Sequence, residues 1–147
     1  LFKSIVVGTD GSETASEAVR QALDLAEETG AKLEIVSAYE PVPQSRLRKE
    51  AQQAPEDVQW TIHAREDVEA TLEDVVEGAK AKGLECSTHA RQGDPADAIL
   101  DVAEETSADL IVVGNKGMTG AKRFLLGSVP NKVSHHAPCS VLIIRTT

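Results

Sequence analysis

The chain has 147 residues, one domain's worth of sequence and enough to bury an apolar core without disulfides or a structural metal. Its formal charge is −9 and its four aromatic residues are Phe2, Tyr39, Trp60 and Phe124, a balance that argues against a nucleic-acid-binding surface, which needs a basic footprint and stacking rings. The charge is unevenly divided: residues 1–109 carry ten Lys and Arg against all 24 Asp and Glu, or −14, whereas residues 110–147 carry Lys116, Lys122, Arg123, Lys132 and Arg145 and no acid, or +5.

Ile5–Val7 is a short, unalternating apolar run of the kind found in strands covered on both faces. Ala15, Ala18, Val19, Ala22, Leu23 and Ala26 then recur at helical spacing, with Ser12 placed to cap the front and Gly30 following the end. A second strand is predicted at Leu33–Val36. Residues 40–55 form the one extended irregular stretch, a lid or an excursion, with three prolines and the basic cluster Arg46, Arg48 and Lys49. A long helix is predicted from about Glu56 to Lys82, with Ala64, Val68, Leu72, Val75 and Ala79 on one face and Gly83 behind it. Glu85–Arg91 alternates weakly, which suits an edge strand. The next helix opens with Asp94 as cap and Pro95 at the first helical position, burying Ala96, Ile99, Leu100 and Ala103. Leu110–Val113 reads as a strand, followed by a glycine-rich loop, a short helix from about Pro130 to His136, and a last strand at Val141–Ile144. This alternation predicts a single doubly wound α/β domain over residues 1–147, with right-handed crossovers that put helices on both faces of the sheet.

No apolar run approaches the roughly 20 residues of a bilayer span, and no charged segment with a following apolar stretch opens the chain. A cytoplasmic protein with no membrane contact is expected. Cys86 and Cys139 lie 53 positions apart without metal-ligand or redox spacing, so two buried reduced thiols are expected.

Ligands of open α/β sheets bind beyond the carboxyl ends of the strands, which directs attention to two loops. Gly8-Thr9-Asp10-Gly11-Ser12 follows the first strand. Its glycines permit close backbone approach, and Asp10 suits sugar hydroxyls or a divalent metal, though taken alone Asp10 and Ser12 read more readily as plain helix capping with Gly11 as the turn. The loop after Leu110–Val113 is more specific: Gly114-Asn115-Lys116-Gly117, nine residues, then Gly127-Ser128 just before a helix start. Free N–H groups there and the Ser128 hydroxyl suit phosphate oxygens, and Lys116, Lys122 and Arg123 add positive charge. Neither a Walker P-loop nor a dinucleotide-binding GxGxxG is present, and Asp10 stands without the second acid a receiver domain would place beside it.

With VVGTDGS at residues 6–12, SAYE at 37–40, VVGNKGMTGAKRFLLGSVPNKV at 112–133 and SVLIIR at 140–145, the sequence resembles the ATP-binding class of the universal stress protein family over nearly its whole length. The resemblance implies a five-stranded parallel sheet in the order 3-2-1-4-5, ATP lying across strands 1 and 4, and a homodimer. It places Gly8, Thr9 and Asp10 along the adenosine, with Asp10 near the ribose or a metal, and offers the backbone of Ala38 to adenine. Gly114 and Gly117 would pass beneath the ribose and α-phosphate, and Gly127, Ser128 and Val129 would hold the outer phosphates. Asn115, Lys116, Met118, Thr119 and Gly120 complete the phosphate-wrapping loop. A Mg²⁺ or Mn²⁺ would be bound through the phosphates, with no metal site made by the protein alone. In that strand order the last strand, residues 141–144, is an apolar edge, and pairing with its symmetry mate makes the natural dimer.

The histidines carry no catalytic pattern. His135 and His136 are adjacent, about 100° apart on a helix, and suit its C-terminal dipole, while His63 and His89 have no partner at diagnostic spacing. Ser128 is outside any GxSxG, Trp60 reads as packing, and Tyr39 suits either the adenine flank or an ordinary strand end. The function expected is nucleotide-dependent regulation of protein partners in a stress response, with at most slow ATP hydrolysis. The alternatives are a cyclic AMP-binding member of the same family and a metal-dependent ATP hydrolase or phosphotransferase using Asp10.

Overall fold

The apolar runs become strands because each is flanked by helices that cover both sides of its pleat. A computed structural model of the chain describes residues 1–39, 65–115 and 127–146. In order they form β1 (Ser4–Gly8), α1 (Glu13–Thr29), β2 (Lys32–Tyr39), α2 (Arg65–Ala81), β3 (Cys86–Gln92), α3 (Pro95–Glu105), β4 (Leu110–Gly114), α4 (Ser128–His136) and β5 (Ser140–Ile144). The strands make one sheet in the order β3-β2-β1-β4-β5, every pair parallel.

Successive strand residues face opposite sides, so two cores form. Ile5, Val7, Leu33, Ile35, Leu110 and Val112 pack with α1 and α2 on one side. Val6, Val36, Ile111 and Val113 pack with α3 and α4 on the other. Burying each such side chain contributes about 1.5–3 kcal/mol over leaving it in water, and β1, whose Ile5, Val6 and Val7 are all fully buried, lies at the centre of both cores.

The helix ends follow their local signals. Ser12 caps α1 by accepting the Ala15 N–H at 3.2 Å, and Gly30, at φ 76°, closes it with its N–H on the Ala26 carbonyl. Asp94 caps α3 by accepting the Asp97 N–H at 3.0 Å, with Pro95 in the first turn. Two boundaries differ from expectation by more than one residue. β2 runs three residues further, to Tyr39, because Ser37, Ala38 and Tyr39 stay paired with Ala90, Arg91 and Gln92 of β3. α4 starts two residues earlier, at Ser128, since Pro130 is tolerated in a first turn whose N–H groups have no helical partner. The expected early part of α2, residues 56–64, lies outside the described residues, as does the 40–55 stretch. Cys86 and Cys139 are both unbridged and half-buried rather than fully buried, Cys86 opening the edge strand β3 and Cys139 directly preceding the edge strand β5. Among the described residues no helix is long and apolar enough to cross a membrane.

Candidate functional site

Between β1 and β4 the chain's crossovers diverge, β1 to its β2 neighbour and β4 to β5, and the space beyond their carboxyl ends is the switch point of the sheet. The loop leaving β1 is held by its own short side chains. Thr9 donates its N–H to the Val36 carbonyl at 2.9 Å, extending the β1–β2 ladder by one bond. The Thr9 hydroxyl oxygen accepts the Gly11 N–H at 3.1 Å, and Asp10 Oδ1 accepts the Ser12 N–H at 2.9 Å. Gly11 turns the chain at φ 81°, and a Cβ there would stand 2.8 Å from Thr71 Oγ1 of α2. Both conformation and space therefore require glycine at position 11.

A pocket enclosing about 480 Å³, open solvent included, is lined by Gly8, Thr9, Asp10 and Ala15, by Val36, Ser37 and Ala38 of β2, by Pro95 and Ile99 of α3, by Val113 and Gly114 of β4, and by Val129 and Pro130 of α4. Its lining is mostly aliphatic, as in small-ligand sites. Asp10 is the one ionisable residue among these lining residues. Six of the residues selected from the sequence thus come together here: Gly8, Thr9, Asp10, Ala38, Gly114 and Val129. Gly127 and Ser128 precede Val129 at the start of α4, where Gly127 supplies no side-chain hydrogen bond to cap the helix. Pro130 has no N–H and the Asn131 N–H meets the Gly127 carbonyl at 3.1 Å, so the Ser128 and Val129 N–H groups are the first-turn donors suited to an anion.

Asn115 is directed elsewhere. It is 6 % exposed, and its Oδ1 accepts both the N–H and the hydroxyl of Thr146, at 2.9 and 2.8 Å. Its own N–H meets the Ile144 carbonyl at 3.0 Å, so it fastens the C-terminal tail to the end of β4. Lys116, Gly117, Met118, Thr119 and Gly120, with Lys122 and Arg123, lie outside the described residues. Lys132 on α4 bridges to α3, 2.9 Å from Asp97 Oδ1 and 3.5 Å from Asp94 Oδ2. The hydrogen bond to Asp97, with the charge of Asp94 behind it, raises its pKa above the ordinary lysine value.

Ala15, Val36, Ser37, Pro95, Ile99, Val113 and Pro130 were not selected from the sequence. Pro95 and Ile99 had a usable signal, since Gly93-Asp94-Pro95 follows the carboxyl end of β3 as the other two loops follow β1 and β4. The remaining histidines stay apart from the pocket lining: His135 and His136 are exposed in the last turn of α4 with ring centroids 6.5 Å apart, and His89 contacts Glu34. His63, Trp60 and Phe124 lie outside the described residues.

The model of the Universal stress protein family matches residues 1–145. A universal stress protein of Methanocaldococcus jannaschii is 34% identical over 148 residues, covering 99% of this chain and 83% of that one. One of Mycobacterium tuberculosis is 38% identical over 147 residues, covering 99% and 98%. Among solved structures, a universal stress protein in complex with cAMP superposes with a TM-score of 0.73 at 34% identity, covering 99% of this chain and 98% of that chain.

Proposed function

The chain belongs to the universal stress protein family, and on that footing we propose that the pocket beyond β1 and β4 takes an adenine nucleotide, with ATP as the ligand and occupancy rather than turnover as the signal. The observation that carries this is the union of an aliphatic slot with a helix start that lacks a side-chain cap. The slot suits a planar base that shuns water, and the start of α4 suits the phosphates. In this reading Asp10 faces the ribose, the Ala38 backbone meets adenine, Gly114 and Gly117 underlie the ribose and α-phosphate, and Gly127, Ser128 and Val129 hold the outer phosphates. Lys116, Met118, Thr119 and Gly120 wrap them, while Asn115 acts indirectly through the tail it holds. On this reading Mg²⁺ or Mn²⁺ would come bound through the phosphates.

A second reading, cyclic AMP as ligand, is favoured by the 34%-identical relative crystallised in complex with cAMP. The base slot would be shared and the outer phosphate contacts left unused. Mass spectrometry of nucleotide released from freshly purified, denatured protein, followed by calorimetric competition of ATP against cyclic AMP, separates the two. ATP in the released fraction and tighter ATP binding are expected; the reverse order moves the assignment to cyclic AMP. Rapid ATP hydrolysis that vanishes in Asp10→Ala would instead favour an enzyme, whereas slow or no turnover is expected.

A further inference from the structure

Gly8 is the last residue of β1, paired with Val36 of β2. It is absent from the described glycines with positive φ, which are Gly11, Gly30, Gly83 and Gly93, so its backbone is one that any residue adopts. The reason for glycine at position 8 is therefore space. A Cβ built there would stand 2.5 Å from Ile99 Cδ1 and 3.1 Å from Ile99 Cγ1. Ile99 of α3 fills the volume that a side chain at position 8 would occupy, and both residues line the pocket.

Ile99 has the longest aliphatic reach of the lining residues, the others being Gly, Ala, Ser, Thr, Asp, Val and Pro. It is 3 % exposed and packs with Val6, Val36, Val113 and Val129. The strand residues beside it are fixed by the ladders of β1, β2 and β4, so the depth of the slot varies chiefly with the side chain at 99. On the adenine-nucleotide reading above, we infer that Ile99, seated on the bare backbone of Gly8, is the specificity-determining residue that sets how large a base the pocket admits. It offers no hydrogen bond, so it discriminates by shape, where one methylene shifts affinity by about 10- to 200-fold.

Gly8→Ala would drive the Ile99 δ-methyl away from β1. The surrounding core is close-packed, and the pocket is the space able to receive it. Ile99→Val deletes that methyl and relieves the clash.

The test is calorimetric titration of wild type, Ile99→Ala, Gly8→Ala and the double variant Gly8→Ala/Ile99→Val. The ligands are ATP, N6-benzyl-ATP and 2-methylthio-ATP, which enlarge different edges of adenine, and circular dichroism reports folding. Wild type should prefer ATP, and Ile99→Ala should reduce that preference about tenfold against at least one analogue. Gly8→Ala should lose about tenfold in ATP affinity, and Ile99→Val in the same chain should restore most of it. No preference in wild type, an unchanged preference in Ile99→Ala, or no recovery in the folded double variant would each overturn the role of Ile99 while ATP binding by wild type stands. Wild type that binds none of the three ligands overturns the nucleotide reading itself, and this inference with it.

Discussion

Asp109 closes the acidic part of the chain, and its two carboxylate oxygens accept backbone N–H groups at the start of β1: Lys3 at 2.9 Å and Ser4 at 3.1 Å. The Asp109 N–H returns to the Ser4 carbonyl at 3.0 Å, so one residue fixes where β1 begins against β4. Burial alone would raise its pKa, but the Lys3 and Ser4 N–H donors, with its own, outweigh that and hold the carboxyl below the usual aspartate value. A lowered folded-state value means that the unfolded chain takes up the proton first. The contribution is thus complete above the ordinary aspartate range and lost as pH falls through the lower folded value. Asp109→Ala should cost about 2 kcal/mol at neutral pH, read as a lowered urea midpoint, and the gap from wild type should narrow by pH 3 or so. An equal gap at both pH values would show that packing, not charge, is what Asp109 supplies. Ser12 and Asp94 were legible in the sequence because a cap acts on residues three positions ahead. Asp109 was not, since its partner Lys3 lies 106 positions away. Nor was Ile99: its spacing identifies a buried helix face, but periodicity is the same for a core residue and a pocket wall.

The weak alternation of β3 marked it as an edge strand, and the structure shows what its polar positions do at that edge. Glu34 of β2 is 3 % exposed, with Oε1 2.8 Å from His89 Nε2 and Oε2 3.3 Å from Lys32 Nζ. Arg91 Nη2 lies 3.4 Å from His89 Nδ1 and the same guanidinium holds both oxygens of Glu105, at 2.9 and 2.8 Å, in the last turn of α3. The His89 ring thus lies between the Glu34 carboxylate and the Arg91 guanidinium. The edge is thereby fastened to the helix whose other end supplies Pro95 and Ile99 to the pocket. His89→Ala would leave a buried carboxylate with Lys32 alone, and we expect a loss of about 2–3 kcal/mol in chemical denaturation. Replacing both members with apolar residues, Glu34→Leu with His89→Val, should recover most of that loss, because desolvation of the charge disappears along with its partner. A double variant as unstable as the single one would mean that Glu34 has a role beyond its pair. At this scale the elements were readable where local patterning decides them, as in β1, α1 and α3. The extra residues of β2 were not, because only its ladder with β3 holds Ser37–Tyr39 extended.

Considered as a whole, the molecule places its acid-free part at one side of the sheet: β4, α4 and β5 carry none of the 24 acidic residues. Net charge of −9 therefore does not describe the end of the chain that would meet phosphates, since the field a ligand feels is local. That same side ends in β5, whose neighbour is β4 and whose other edge has no strand among the described residues. Its sequence, Ser-Val-Leu-Ile-Ile, has none of the charges or prolines that ordinarily blunt an edge. Leu142 is 39 % exposed, and with Leu1 it makes up the exposed large apolar side chains of the described residues. Val141 and Ile143 rest against the α3–α4 core and Ile144 against the α1–α2 core, all of them half-buried. An apolar edge so placed is covered most simply by its own copy about a two-fold axis, which pairs the two strands and buries Leu142. We therefore predict a dimer in light scattering at micromolar concentration, and Leu142→Lys should convert it to a monomer with little change in the fold. A mutated charge on this edge would be solvated in the monomer but trapped against its symmetry mate in the dimer, which is why the shift should be large. Monomeric wild type, or a Leu142→Lys protein that remains dimeric, would move the interface away from β5.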